Sequence, residues 1–368
     1  MIFMARRFSL WKEGWHLRPS VILMCLEQTK FKTRVVLIVL LLLYAPLVSA
    51  QNTPRLTNID RVRLAEAFRI GDELGNRIWA GWKKAPFAVL LVTPEDEFLI
   101  RHSKPSPDFK LISYDPLLQS NVYYRPRTQP QDLLATFPIT GGIPTIVIGQ
   151  AENTTKKTSS PWVVTVLHEH FHQLQYSQPG YYEDVNALGL TRGDQTGMWM
   201  LNYPFPYDWP EMKELFSHLS RSLAEALLAK TKSDFSLKLA AYLKQRHELE
   251  NILSPDDYRY FSFQLWQEGI ARYTEYRLAK LAAGSYRPGK AFRRLQDYQP
   301  FAEVAEATRR GILNELTNGK LEDNKRVMFY ALGAGEGLLL DRQNSRWRER
   351  YFADRFYLDK YFQPGRLR

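Results

Sequence analysis

Two histidines and a glutamate lie close together in residues 160–175, a stretch that reads SPWVVTVLHEHFHQLQ. The Ser-Pro pair at its start is typical of a helix N-terminus, because a serine hydroxyl can cap the first amides and proline has no amide proton to lose there. On a helix, His168 and His172 are four residues apart and therefore share one face, where both imidazoles can bind one metal ion. Glu169 is placed to act as a general base on a water molecule at that ion.

A catalytic zinc ion normally has three protein ligands and one open position, so a third ligand is needed. Glu268 is the candidate, in a second predicted helix over residues 261–276. Its neighbours along this helix are apolar: Leu265, Trp266, Ile270 and Tyr273. An unpaired carboxylate is costly in such surroundings, and a metal ion would supply the missing partner. We therefore predict a Zn²⁺ site formed by His168, His172 and Glu268.

Other residues near these motifs are weaker candidates as ligands. A third histidine soon after the first two, as in metzincins, is excluded because Gln175 and Gln178 stand where that pattern needs glycine and histidine. Three acidic residues on a predicted loop segment remain alternatives to Glu268: Glu183, Asp184 and Asp194. His170 lies on the opposite side of the helix from the paired histidines and is expected to be structural. Glu275, two turns after Glu268, is a candidate to orient a histidine ligand from behind.

The two motifs together resemble those of the gluzincin metallopeptidases. The first reads His168-Glu169-His170-Phe171-His172, and the second extends from Trp266 to Tyr273 with Glu268 followed by glycine. The resemblance implies a zincin-like fold, the ligands His168, His172 and Glu268, and Glu169 as the general base. The chain departs from the best-known members in its spacer, since 95 residues separate His172 from Glu268. Two additional helices would have to be inserted there.

This resemblance implies a zinc-dependent hydrolase that cleaves peptide or protein substrates. Zinc would activate a water molecule, and Glu169 would take its proton and deliver it to the leaving amine. Tyr330 follows the second motif on a predicted helix, as the oxyanion donor does in some gluzincins; a packed core tyrosine is the alternative. Two other functions stay open: a zinc amidase acting on a cell-wall or other non-protein amide, and a catalytically inactive binding or scaffold protein.

The elements around the motifs predict an α+β protein, with a small N-terminal sheet lobe over residues 51–160 and a mainly helical lobe over residues 161–368 that together form one catalytic unit. Apolar periodicity predicts a first helix from Ile59 to about Trp82. Apolar runs predict three strands, at residues 87–92, 97–100 and 145–148, with long loops over residues 103–142. Further helices are predicted at residues 161–176, 210–229, 234–253, 255–283 and 325–342.

The first 50 residues have the features of a cleavable signal peptide. Basic residues precede an apolar run from Val35 to Val48, which ends in Val48-Ser49-Ala50, a small-residue cleavage pattern. The long leader before this run indicates that translation starts at Met24. A retained anchor is the alternative, although 14 residues with an internal proline are short for a membrane span. The mature protein is therefore expected to be secreted or periplasmic, without a stable membrane anchor.

Composition excludes several other classes of function. The only cysteine, Cys25, lies in the predicted signal segment, which excludes disulfides and cysteine chemistry in the mature protein. That segment contains seven of the 50 Lys and Arg residues and two of the 39 Asp and Glu residues, hence +5 of the formal net charge of +11. The remaining basic residues are interspersed with acidic ones, so nucleic-acid binding is not expected.

Two further stretches have unusual compositions. Residues 333–338, GAGEGL, lack the last glycine of a dinucleotide-binding loop and follow no strand, so they are interpreted as small residues that permit close helix packing. Gly269 is expected to allow the same close approach beside Glu268. Residues 199–210 are rich in aromatic side chains, which predicts either loop packing or, as the alternative, the lining of a substrate cleft.

Overall fold

The computed structural model describes residues 54–344 and 346–362 and has an α+β fold, as predicted. A six-stranded mixed sheet occupies the N-terminal part, and the C-terminal part is mostly helical. The predicted signal segment lies outside the described residues. Within the described ranges, every helix is too short or too polar to cross a membrane.

The first helix, α1 (Asn58–Leu74), begins where the sequence predicts and ends two turns earlier. Its N-terminus is capped by Thr57, whose hydroxyl accepts a hydrogen bond of 3.1 Å from the amide of Asp60. After the helix, the left-handed backbone of Gly81 (φ 84°) turns the chain back. The Trp82 ring then packs on Gly75, where an added Cβ would lie 2.2 Å from the ring. Apolar periodicity past Leu74 reflects this return segment and not a continued helix.

The sheet has the strand order β3-β4-β2-β1-β6-β5. Its strands are β1 (Val89–Val92), β2 (Asp96–Ile100), β3 (Lys110–Asp115), β4 (Ser120–Pro126), β5 (Leu134–Pro138) and β6 (Pro144–Gly149). β1 and β6 are parallel neighbours, and the other pairs are antiparallel. The three predicted strands are confirmed as β1, β2 and β6.

The prediction of long loops over residues 103–142 is wrong, because β3, β4 and β5 lie in this region. These strands sit toward the two edges of the sheet and are largely half-buried or exposed. They therefore lack the continuous apolar runs that mark the central strands β1 and β6.

Helix α2 (Ser159–Tyr176) carries the histidine motif and packs on strands β5 and β6. Later helices are α3 (Tyr181–Ala187), α4 (Trp199–Asn202), α5 (Pro210–Leu228), α6 (Lys232–Ile252), α7 (Pro255–Gln264), α8 (Ile270–Ser285), α9 (Phe301–Asn318), α10 (Leu321–Asn324) and α11 (Met328–Gln343). One turn of π-helix, Leu265–Gly269, joins α7 to α8 and carries Glu268. The sequence analysis missed α9 and the short helices α3, α4 and α10.

Helix α11 crosses the π-turn at van der Waals contact between two glycines. A Cβ added to Gly269 would lie 2.4 Å from the Cα of Gly333, and one added to Gly333 would lie 2.5 Å from the carbonyl oxygen of Leu265. Backbone atoms on both sides cannot move aside as a flexible side chain could. The interpretation of both glycines as close-packing residues is therefore confirmed, and the backbone of the Glu268 turn is fixed against α11.

Replacing Gly333 with alanine should lower the free energy of unfolding by about 2 to 3 kcal/mol, because the new methyl group overlaps backbone atoms. The matched control is Gly284→Ala in α8, where an added Cβ meets no atom within 4 Å. That control should raise the free energy of unfolding by about 0.5 to 1 kcal/mol, since alanine loses less backbone entropy in a helix. Chemical denaturation of both variants measures the difference; equal effects would contradict the assigned crossing.

The N-terminus of α2 is capped by Asp297, a residue far away in the sequence. One carboxylate oxygen accepts from the Ser159 amide at 2.9 Å, and the other accepts from the Ser159 hydroxyl at 2.7 Å. Arg63 donates to the same carboxylate at 3.1 Å. The prediction that Ser160 caps the helix is wrong: the helix begins one residue earlier, and the Ser160 hydroxyl accepts from the amide of Gln299.

The Asp297 cap should make stability depend on pH. Burial raises the pKa of this carboxyl, but the hydrogen bonds from Ser159 and the charge of Arg63 outweigh burial and lower the pKa below its ordinary value near 4. The stabilisation is thus present above pH 4 and is lost as pH falls through the lowered pKa. Asp297→Asn should cost about 1 kcal/mol of unfolding free energy at pH 7 and much less at pH 3. Glu306→Gln, at an exposed carboxylate of α9, should change neither value; a pH-independent Asp297→Asn effect would contradict the prediction.

Candidate metal centre

Three buried or largely buried side chains from two helical segments meet at one point. His168 and His172 project from α2, and Glu268 projects from the π-turn that crosses it. The two Nε2 atoms are 3.1 Å apart, and the Glu268 Oε2 lies 3.4 Å from the Nε2 of His172 and 3.8 Å from that of His168. These three residues are the group in the described ranges that could hold a metal ion.

The separations fit one four-coordinate ion. A tetrahedral ion with bonds of about 2.1 Å places its ligand atoms about 3.4 Å apart, close to the three observed distances. The Glu268 side chain keeps 16% of its surface exposed, whereas both imidazoles are more deeply buried. The carboxylate is therefore the least covered of the three candidate ligands.

The remaining nitrogen of each imidazole lies close to a side-chain oxygen. The Nδ1 of His168 lies 2.9 Å from the Oε1 of Glu275, and the Nδ1 of His172 lies 2.7 Å from the Oε1 of Gln175. The amide nitrogen of Gln175 donates to the carbonyl oxygens of Trp266 and Gln267, which fixes its oxygen toward the ring. With both Nδ1 atoms protonated against these oxygens, both Nε2 lone pairs face Glu268 and are free for a metal.

The neighbouring carboxylates favour a protonated His168. Burial would lower the pKa of His168, but hydrogen bonding to Glu268 and Glu275 outweighs it and raises the pKa to about 10. Burial likewise opposes ionisation of Glu268, while the charges and hydrogen bonds of the two histidines hold its pKa well below the ordinary value. The metal-free cluster thus retains a proton between these groups, and a divalent ion would take the place of that proton.

Glu275 is supported in turn by a cation. Arg272 donates to its second carboxylate oxygen at 3.1 Å and also contacts Glu315 at 3.4 Å. Burial opposes ionisation of Glu275, but the nearby charges of Lys156 and Arg272 lower its pKa and keep it ionised. The expectation that Glu275 orients a histidine ligand agrees with this geometry.

Glu169 is buried beside the cluster and points toward the sheet edge. Its Oε2 accepts a hydrogen bond of 2.8 Å from the hydroxyl of Thr136 in β5, and the same hydroxyl also contacts the Glu169 carbonyl oxygen at 3.0 Å. Its charge also acts on His168. The carboxylate therefore lies next to the candidate ligands without being one of the three.

Tyr330 also reaches the cluster, from the first turn of α11. Its ring is nearly parallel to that of His168, with 6.4 Å between centroids, and its hydroxyl faces Glu268. Burial and the Glu268 charge raise the pKa of this phenol well above 10, so it is a neutral donor. The guanidinium of Arg326 donates to the Tyr330 hydroxyl at 2.9 Å. Tyr330 is thus at the site and not only packed in the core.

The alternative third ligands lie elsewhere. Glu183 and Asp184 are exposed on α3, and Asp184 pairs with Arg355. Asp194 accepts hydrogen bonds from the amides of Thr196 and Trp199 at the start of α4. None of these three carboxylates joins the histidine pair.

His170 is structural, as expected. It stacks on Phe87 at 3.7 Å between centroids, and its Nδ1 contacts the Oε1 of Gln173 at 2.7 Å. Burial lowers the pKa of His170 to about 3, so the ring stays neutral. The amide nitrogen of Gln173 donates to the carbonyl oxygens of Ala88 and Pro144, which ties α2 to the sheet.

The sequence analysis missed Thr136, Gln175 and Arg326 at this site. Thr136 lies on a strand that was predicted to be loop, and Arg326 has no motif around it. Only the position of Gln175 beside His172 could have been predicted from the sequence, because Gln175 follows His172 by three residues and therefore lies on the same helix face. Side chains that act through another residue have no fixed spacing in the chain.

Comparison of the chain with protein-family models, with curated proteins and with solved structures gave no match in any of the three. The site is therefore interpreted from its own geometry.

Removing either carboxylate should weaken metal binding, measured by competition of Zn²⁺ between the protein and a chromophoric chelator. Glu275→Gln should lower the affinity roughly 10- to 100-fold, because it orients His168 without touching the ion. Glu268→Gln should cost at least about 100-fold, since it removes the ligand charge itself. Glu183→Gln, an exposed carboxylate, is the control and should have no effect. Unchanged Zn²⁺ affinity in Glu268→Gln would contradict the assigned site.

Proposed function

We propose that this protein is a zinc-dependent hydrolase of the gluzincin type, with a zincin-like fold, that cleaves peptide bonds. The observation that carries the proposal is the meeting of His168, His172 and Glu268 at tetrahedral ligand spacing with Glu169 beside them. Zinc fits the donor set because two imidazoles and one carboxylate are its usual ligands in catalytic sites. When bound, it would activate a water molecule and polarise the substrate carbonyl.

Three protein side chains have roles in the reaction besides binding the metal ion. Glu169 takes a proton from the attacking water and delivers it to the leaving amine. The Thr136 hydroxyl holds the Glu169 carboxylate in place through its Oε2. Tyr330, a neutral donor facing the cluster, stabilises negative charge as it develops on the carbonyl oxygen, a contribution of roughly 3 kcal/mol where such donors have been removed from other enzymes.

The sheet edge beside Glu169 favours a peptide over other amides. β5 is an edge strand that pairs with β6 on one side only, and within the described ranges its other edge has no strand partner. An extended peptide can pair with such an edge through main-chain hydrogen bonds. Because Thr136 in this strand touches Glu169, a peptide bound there would pass close to the general base.

The proposal extends to the location of the protein. The signal-peptide pattern in residues 1–50 supports export, so we propose that the mature chain acts outside the cytoplasm, in a periplasmic or secreted form, on peptide or protein substrates. Substrates in such a compartment would reach the solvent-facing side of the Glu268 carboxylate directly.

The test is Glu169→Gln, compared with the parent chain for both metal content and peptide hydrolysis. The variant should retain about one zinc ion per chain, because Glu169 is not a ligand, and should lose roughly 10²- to 10⁴-fold in kcat. Mass spectrometric metal analysis and hydrolysis of a mixed peptide library measure the two properties. Asp194→Asn is a control that removes a carboxylate away from the site and should leave both unchanged.

Three outcomes would change the proposal. Stoichiometric zinc with no hydrolysis of any peptide would favour an amidase acting on another amide. Equal activity in the parent and in Glu169→Gln would remove Glu169 from the mechanism. Absence of zinc from both proteins would leave a binding protein as the remaining interpretation.

A further inference from the structure

A half-buried arginine next to the candidate metal centre has no acidic partner. Arg326 lies in a 3₁₀ turn, Lys325–Val327, directly before α11. Within the described residues, no carboxylate lies within the 4.0 Å of an ion pair with Arg326. Several arginines with no more than 20% of the side chain exposed do have such partners, among them Arg63 with Asp297, Arg125 with Glu97, Arg246 with Glu336, Arg272 with Glu275 and Arg348 with Asp341.

Phenol groups surround Arg326 where carboxylates would be expected. Its Nη1 donates to the Tyr330 hydroxyl at 2.9 Å. Burial raises the pKa values of Tyr207 and Tyr260, and the nearby Arg326 charge opposes both shifts. Tyr260 is fully buried and donates to the carbonyl oxygen of Met200, whereas Tyr207 is half-buried. The charge of Glu268 acts on the guanidinium from a distance, but the group that Arg326 contacts directly is the Tyr330 phenol and not a carboxylate.

The backbone before Arg326 is held in an uncommon conformation. Lys325 has φ 48° and ψ −130°, in the positive-φ region that residues with a side chain rarely adopt. Such a conformation costs on the order of 1 to 3 kcal/mol and persists only where surrounding contacts enforce it. The turn thereby fixes the direction in which Arg326 leaves the chain.

We propose that Arg326 binds a carboxylate of the substrate one residue away from the bond that is cleaved. A guanidinium has five donors, of which Tyr330 uses one, and its planar edge matches a carboxylate in a two-point hydrogen bond. Tyr207, in the aromatic segment 199–210, supplies a phenol beside the same site.

The position of Arg326 sets the distance to the reacting bond. The Tyr330 hydroxyl faces Glu268 and is the donor nearer to the ligand cluster, whereas the guanidinium is one hydrogen bond farther out. An extended residue spans about 3.5 Å, so a carboxylate on Arg326 belongs to the residue next to the scissile carbonyl. Either a C-terminal carboxylate or an acidic side chain has this chemistry. This inference rests on the proposed peptidase function, which makes the bound carboxylate part of a peptide substrate.

The kinetic test uses one peptide in three forms: with a free C-terminus, with a C-terminal amide, and as the amide with Asp as its last residue. The parent protein should cleave at least one of the two carboxylate forms roughly 30- to 100-fold faster, in kcat/KM, than the plain amide. Preference for the free C-terminus identifies the terminal carboxylate, and preference for the Asp amide identifies the side chain. Equal rates for all three forms in the parent would overturn the proposal.

Arg326→Gln should abolish this preference. Its loss of kcat/KM relative to the parent should be smaller for the plain amide than for the preferred carboxylate form. Any general loss caused by a less well held Tyr330 affects all three forms equally, so the ratio of rates isolates the carboxylate contact. Lys325→Gln removes the same charge from the exposed neighbouring residue and should keep the full preference. A preference that survives in Arg326→Gln would overturn the proposal.

Binding to the metal-free chain gives a readout that does not depend on catalysis. Calorimetric titration with N-acetylphenylalanine and with its primary amide should show the acid bound at least about 10-fold more tightly by the parent and by Lys325→Gln, but not by Arg326→Gln. No preference for the acid in the parent would overturn the carboxylate site. If the acid is preferred but no peptide is cleaved, the carboxylate site stands and the proposed peptidase function fails. If peptides are cleaved at rates that do not depend on the carboxylate, the peptidase function stands and the carboxylate site fails.

Discussion

A buried carboxylate facing two imidazoles is stable only if a positive charge is shared among them. Glu268 meets this condition with His168 and His172, through a proton in the metal-free chain or through a cation that replaces it. The surrounding polar contacts follow from this constraint. Glu275 and Gln175 engage the outer nitrogens of the rings, which leaves the inner nitrogens turned toward Glu268. Glu275 and Gln175 thus lie behind a cluster that could hold a cation.

The geometry of the cluster depends on how closely two backbones can approach. Gly333 lets α11 lie directly against the π-turn that carries Glu268, and α11 brings Tyr330 to the same place. A π-turn adds one residue to a helical turn and is often found at functional sites. Here it lies between α7 and α8, so Glu268 faces α2 while α8 continues on to place Glu275 behind His168. One close crossing therefore fixes a ligand, its supporting carboxylate and a phenol donor.

The sheet and the helices contribute different chemistry to the site. The helices supply the ligands and their supporting groups, all with polar atoms turned inward. The sheet supplies Thr136, which holds Glu169 at the edge strand β5. In the aromatic segment 199–210, Tyr203 and Phe205 are packed in the core, as the loop-packing prediction has it, and Tyr207 lies near Arg326. Charge across the site is accordingly uneven, with Glu275 behind His168 and Arg326, which has no carboxylate in ion-pair contact within the described residues, beyond Tyr330.

The sequence by itself determined what depends on local spacing. Four-residue separation put His168 and His172 on one helix face, and apolar runs identified the central strands β1, β2 and β6, because periodicity is set by the geometry of a single element. Only the tertiary structure decided which distant carboxylate meets the histidines, that Asp297 caps α2, and that Thr136 and Arg326 belong to the site. These contacts join residues tens to more than a hundred positions apart. They are selected by the packing of whole helices and strands, which local sequence patterns do not determine. Strands β3, β4 and β5, at or next to the sheet edges, escaped prediction for the same reason, since their pairing partners and not their own apolar content make them strands.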